Sequence, residues 1–210
     1  MLSMPGEVSF KRIPIASDST SRYQNGLVKS KTESYTTNIM GTKKKVLLLV
    51  EELYEDLEFW YPKIRLQEEG YDVVVAGLEK KIYHGKKGLP AEPDITFSQV
   101  KPDDYDGVII PGGFAPDKLR RYKEVLDLVR KYDQDKKLIA FVCHAGWVPI
   151  SAKILQGRKA TSFSAIKDDM VNAGVRWEDS PVVIDDNLVS SRTPSDLGEF
   201  CKGIIRVIGA

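Results

Sequence analysis

Short apolar runs, each followed by a stretch with helical spacing, recur along the chain from Lys45 onward. They are KVLLLV at Lys45 to Val50, VVVA at Val73 to Ala76, GVII at Gly107 to Ile110 and LIAFV at Leu138 to Val142. A strand that is apolar on both faces must be covered on both faces, and strands joined through helices run parallel. The pattern predicts a doubly wound, mostly parallel α/β sheet. Helices are expected from about Leu57 to Glu69, stopped by Gly70, from just after Gly113 through Leu119, and from Val125 to Tyr132. Others are expected over Trp147 to Leu155, over Ala165 to Asn172 and at the C-terminus. A short strand is expected near Lys159 to Ser162, and a hairpin from Val182 to Ser190 turning at Asp185, Asp186 and Asn187. Residues Lys81 to Phe97, broken by glycine and proline, read as small hairpin excursions.

The chain has 210 residues, enough for one domain and some extra length. The extra length is at the front: residues 1–42 are rich in Ser and Thr without sustained periodicity, and are expected to form a polar, flexible tail ahead of a domain over residues 43–210. The tail lacks the apolar core of a secretory signal, and Glu7, Asp18 and Glu33 speak against an organelle transit peptide. Met40, next to Gly41, is a candidate alternative start. The 31 basic and 30 acidic side chains are interspersed, so no basic face for nucleic acid is advertised. The apolar runs are far shorter than the roughly 20 residues of a bilayer span, so no membrane insertion is expected. Two cysteines make no disulfide framework, which favours a reducing, cytoplasmic setting.

Ligands of open parallel sheets bind beyond the carboxyl ends of the strands. Three of these strand ends carry chemistry: the acidic turn EELYED at Glu51 to Asp56, the glycine turn of Gly112 and Gly113, and the pair Cys143 and His144. In AFVCHAGW, small Ala145 and Gly146 follow Cys143 as they would in a nucleophile elbow. A helix N-terminus after the turn is expected to lower the Cys143 pKa, and backbone N–H groups there and at Gly113 could stabilise an oxyanion. A cysteine without such context is usually inert core, and Cys201, on the C-terminal helix, is read that way. His84 is read as surface, so His144 is the candidate partner. No cysteine or histidine cluster has zinc spacing, and neither a Walker loop nor a G-x-G-x-x-G occurs, so no metal or cofactor is expected.

Five motifs carry a resemblance: KKVLLLVEELYEDLEFWYP, YDGVIIPGGFAPDKLR, AFVCHAGWVPISA, GRKATSFSAIKDDMVNAGVRW and VVIDDNLVSSRTPSDL. In this order they resemble the PfpI intracellular protease branch of the DJ-1/PfpI superfamily, from Lys44 to the C-terminus. The resemblance implies a flavodoxin-like, class I glutamine amidotransferase-like fold with Cys143 as nucleophile and His144 beside it. It places Glu55 next to the thiol, assigns Gly113 and the His144 backbone to the oxyanion site, and matches Asp117 to an acid that orients the histidine of a neighbouring subunit. Phe114 stands where many members have Arg, Ala145 and Gly146 replace Gly-Pro, and Phe163 stands where Tyr is common, which makes the pocket more apolar. No histidine follows His144, and this excludes glutamine amidotransfer.

The expected function is a cysteine-dependent enzyme acting on carbonyl carbon, either peptidase-like or of glyoxalase or deglycase type. Its partners would be a small carbonyl compound, a peptide or a glycated substrate, and further copies of itself in a homo-oligomer between dimer and hexamer. The alternative is a non-catalytic stress or redox-sensing holdase in which Cys143 is oxidised.

Overall fold

In the computed structural model, residues 43–209 are described, and the tail expected over residues 1–42 lies outside them. Strands β1 (Lys45–Leu49), β2 (Asp72–Gly77), β3 (Tyr83–His84), β4 (Pro90–Ala91), β5 (Ile95–Thr96) and β6 (Gly107–Ile110) precede β7 (Leu138–Val142). They are followed by β8 (Lys159–Ala160), β9 (Arg176–Trp177), β10 (Val182–Asp185) and β11 (Leu188–Ser191). The helices are α1 (Asp56–Glu68), α2 (Ala115–Leu119), α3 (Lys123–Gln134), α4 (Trp147–Ala152), α5 (Lys167–Asn172) and α6 (Leu197–Gly209).

Seven strands form one sheet in the order β10-β11-β7-β6-β1-β2-β5. Every pairing in it is parallel except the β10–β11 hairpin. This is the doubly wound, mostly parallel, flavodoxin-like sheet that the apolar runs imply. Strands β1, β6 and β7 lie at its centre, and Val46 to Val50, Val108 to Ile110 and Ile139 to Val142 have no exposed surface. The strand order reverses around β1, which pairs with β2 on one side and β6 on the other. The turns after these central strands therefore meet at one edge of the sheet.

Several local expectations change. Helix α4 ends at Ala152 rather than Leu155, because Lys153 takes a left-handed conformation and its N–H closes the helix on Ile150. Strand β8 ends at Ala160, where the next N–H, that of Thr161, leaves the ladder for the Ser190 hydroxyl at 2.9 Å. Only β3 and β4 form the expected excursion after Lys81; β5 joins the edge of the main sheet beside β2.

Leu48 is fully buried in β1, between Val75 of β2 and Ile109 of β6. Leu48→Ala should lower the unfolding free energy by about 3 kcal/mol, the usual cost of a cavity at such a site, as read from urea midpoints at constant slope.

Candidate active site

Strand β7 ends at Val142, and a single 3-10 turn, Cys143–Gly146, leads into α4. Cys143 sits in that turn at φ 62°, a left-handed conformation that costs a non-glycine residue about 1–2 kcal/mol. The bend aims the sulfur out of the sheet plane towards the turn after β6. The N–H groups of His144 and Gly113 face the sulfur and favour its ionised form. Gly113 is at φ +79°, with the backbone of Leu53 and Glu55 where a side chain would begin. At Gly112 a Cβ would stand 2.5 Å from a Glu58 oxygen and 2.7 Å from the Cβ of Cys143. Glycine is thus the residue that lets the acid and the thiol meet at this point.

The resemblance placed Glu55 beside the thiol; the structure places Glu58 there instead. Helix α1 begins at Asp56, so Glu55 is its N-cap, and the Glu55 carboxylate accepts the Glu58 N–H at 2.9 Å. The next acid on that face, Glu58, points inward, is fully buried, and accepts the Gly112 N–H at 2.8 Å through Oε2. Its Oε1 is buried without a hydrogen-bond partner, and the Cys143 thiol lies beside the carboxyl. Burial, reinforced by the charge on Glu55, pushes the Glu58 carboxyl up to about 8, so it holds a proton at neutral pH. Elsewhere in the acidic turn, Glu51 accepts the Tyr122 hydroxyl at 2.8 Å and Glu52 lies 3.7 Å from exposed His84.

The Cys143 pKa does not simply fall, as expected from a helix N-terminus. Burial pushes it up to about 12, with the charge of an ionised Glu58 adding to the rise and the N–H groups of His144 and Gly113 opposing it. The contribution from Glu58 vanishes once that carboxyl is protonated, and its proton then becomes a further donor to the sulfur. A thiolate at this site therefore depends on Glu58 keeping its proton. On the open side, His144 Nδ1 lies 3.2 Å from Sγ. The imidazole is half-buried between Phe163, centroids 5.1 Å apart, and Trp147, 5.4 Å away edge-on. Burial first, and then the charge of Lys86, lower its pKa and keep it neutral.

These side chains line a cleft of about 330 Å³ with Glu55, Lys86, Phe114, Thr193 and Pro194. The exposed ring of Phe114 forms one wall and Phe163 another, whereas Ala145 is wholly buried behind the turn. Asp117 is half-exposed in the first turn of α2 and pairs with Arg121, making no hydrogen bond to the His144 of its own chain. Cys201 is buried on α6, and burial pushes its pKa up to about 12. Among the described residues, no group of three or more His, Cys, Asp and Glu is placed to hold a metal ion, and no helix is long and apolar enough to cross a membrane. Lys86 was missed from the sequence, since it lies in a loop that pattern reading takes for surface. Glu58 was legible in principle: an acid at an N-cap is engaged by the helix, and the acid three residues on shares its face.

Fold and site together define a flavodoxin-like α/β protein with a cysteine on the turn after its central strand. Within that class the chain belongs to the DJ-1/PfpI family, which matches residues 44–207. It is 42% identical over 164 residues to deglycase PfpI of Pyrococcus furiosus, covering 78% of this chain and 99% of the relative. It is 37% identical over 166 residues to the putative cysteine protease YraA of Bacillus subtilis, covering 79% and 98%. Among solved structures, Drosophila melanogaster DJ-1beta superposes with TM-score 0.75 at 30% identity, over 80% of this chain and 92% of that one. A two-domain Anabaena variabilis protein with DJ-1/ThiJ/PfpI-like and ferritin-like domains superposes with TM-score 0.78 at 41% identity, over 80% of this chain. This chain spans about half the length of that protein, 48%.

The raised Glu58 pKa fixes a pH dependence. Below 4.5 the carboxyl is protonated in both folded and unfolded states. Between 4.5 and about 8 the unfolded chain releases the proton that the native state keeps, so stability falls as pH rises through this window. The loss should approach roughly 4 kcal/mol by pH 8. Glu58→Gln, which keeps an acceptor for Gly112, should flatten the stability profile between pH 5 and 8 in urea unfolding.

Proposed function

We propose that this protein is a cysteine-dependent enzyme acting on carbonyl carbon, of the deglycase or peptidase kind named for its relatives. The observation that carries this reading is the Cys143 sulfur, held on a left-handed turn 3.2 Å from His144 Nδ1 and against a buried carboxyl, at the floor of an open cleft. Sγ attacks the carbonyl carbon as its proton passes to the neutral His144 imidazole. Negative charge then develops on the carbonyl oxygen, where the N–H groups of Gly113 and His144 are the nearest donors. Glu58, protonated, holds the sulfur in place and returns a hydrogen bond to it when it leaves. The substrate is a small carbonyl compound, a peptide or a glycated adduct, met in a reducing, cytoplasmic setting. The test is turnover of methylglyoxal, a glycated amino acid and casein. Cys143→Ala should reduce turnover to background, and iodoacetamide at pH 6 should label Cys143 well before Cys201. Retained turnover in Cys143→Ala, or first labelling at Cys201, overturns the reading.

The same proposal includes a homo-oligomer with a shared site. Leu57, Tyr61 and Ile64 of α1 are exposed at helical spacing on one face, Phe114 is exposed at the cleft, and Asp117 follows it by three residues in the first turn of α2. Asp117 makes no hydrogen bond to a histidine of its own chain; at an interface it would exchange Arg121 for the His144 of a neighbour and stabilise the imidazolium formed when that histidine takes the proton. Cys143→Ala and Asp117→Asn subunits, each inactive alone, should regain part of the activity when refolded together. A dead mixture with verified mixed oligomers, or a fully active Asp117→Asn, rejects the shared site.

A further inference from the structure

The rim of the cleft carries a cation that the chemistry above does not use. Lys86 lines it with Phe114, Cys143 and His144, its Nζ 5.6 Å from the centre of the Phe114 ring. Among the other cations on this side, Lys118 pairs with Glu51 and Arg121 with Asp117, while Arg120 donates to the Ser151 hydroxyl at 2.9 Å and lies over the Trp147 ring, 5.7 Å from its centre. Arg192, in the adjoining hollow with Phe163 and Thr193, is held by Asp179 at 2.7 Å and Asp196 at 3.0 Å. Lys86 joins no such pair among the described residues. Its place is fixed by the fold. Buried Asp56, at the start of α1, accepts the N–H groups of Lys87 at 2.8 Å and Leu89 at 3.0 Å, and the Lys86 N–H donates to the Tyr54 carbonyl at 2.8 Å. A carboxylate acting from another element thus pins the turn that presents the lysine, and the aromatic ring steadies its head. The ammonium faces the reacting groups closely enough for its charge to be felt at both His144 and Glu58. Phe114 and Phe163 make the walls apolar, so a charge there is only partly screened.

We propose that Lys86, steadied by the Phe114 ring, is the substrate-selecting residue of the cysteine cleft, favouring carbonyl compounds and adducts that carry a carboxylate. This rests on Cys143 being the nucleophile, as proposed above.

Iodoacetate and iodoacetamide test it, because both alkylate the same sulfur with loss of iodide and differ only in carboxylate against amide. The ratio of their rates at Cys143 cancels the pKa of the thiol and reports the cation beside it. Lys86→Gln should lower this ratio by about fivefold, and Lys86→Arg should retain it. In the wild-type protein the ratio should also fall as salt is raised from ~20 to ~500 mM, a measurement that needs no variant. An equal ratio in wild type and Lys86→Gln, or a wild-type ratio that salt does not move, overturns the assignment of Lys86. Failure of both reagents to alkylate Cys143 overturns the nucleophile itself and the inference with it.

Discussion

The parallel register of β1, β6 and β7 is the constraint on which the site depends. Leu48 faces Ile109, and Ile109 faces Ala140, so the three strands end at nearly the same height. Their interior residues are fully buried, and slipping one strand by a residue would turn its side chains to the opposite layer. The turns they deliver are then tied to one another. Phe114 donates to the Leu53 carbonyl at 2.9 Å and Glu55 to the Gly112 carbonyl at 3.2 Å. The acidic turn and the glycine turn are thereby held together, and the thiol turn is tied in its own place where Phe163 donates to the Cys143 carbonyl at 3.2 Å.

Much of this was legible from residue pattern. The apolar runs marked β1, β6 and β7 because a doubly covered strand leaves no polar face, and AFVCHAGW marked the bend because small Ala145 and Gly146 leave room for a side chain projected from so tight a turn. The identity of the buried acid was not legible by resemblance. Glu55 and Glu58 are three residues apart, and which one faces the thiol depends on where α1 begins. Lys86 was hidden for another reason. Its loop has no periodicity, and what brings it to the cleft is a long-range bond from Asp56, some thirty residues earlier in the chain. Likewise α4 stops early through the left-handed Lys153, a conformation that lysine propensity does not forecast.

The electrostatics of the cleft follow from burial more than from named charges. A fully buried Glu58 keeps its proton, a half-buried His144 gives its proton up, and the full charges in the cleft are the Glu55 carboxylate and the Lys86 ammonium. Phe114 and Phe163 make the walls of the pocket apolar, and Lys86, reaching over the Phe114 ring, returns a charge to it.

The backbone of Cys143 has a further consequence for how such a chain can drift. At φ 62° the position is one that glycine would occupy without penalty, so the fold is held slightly less stable by the residue at its reactive turn. Random substitution under selection for stability alone would favour losing the thiol there. The thiol is thus held at a cost to the fold, and copies of this domain released from its chemistry would be expected to relax first at this one residue, with the surrounding sheet unchanged.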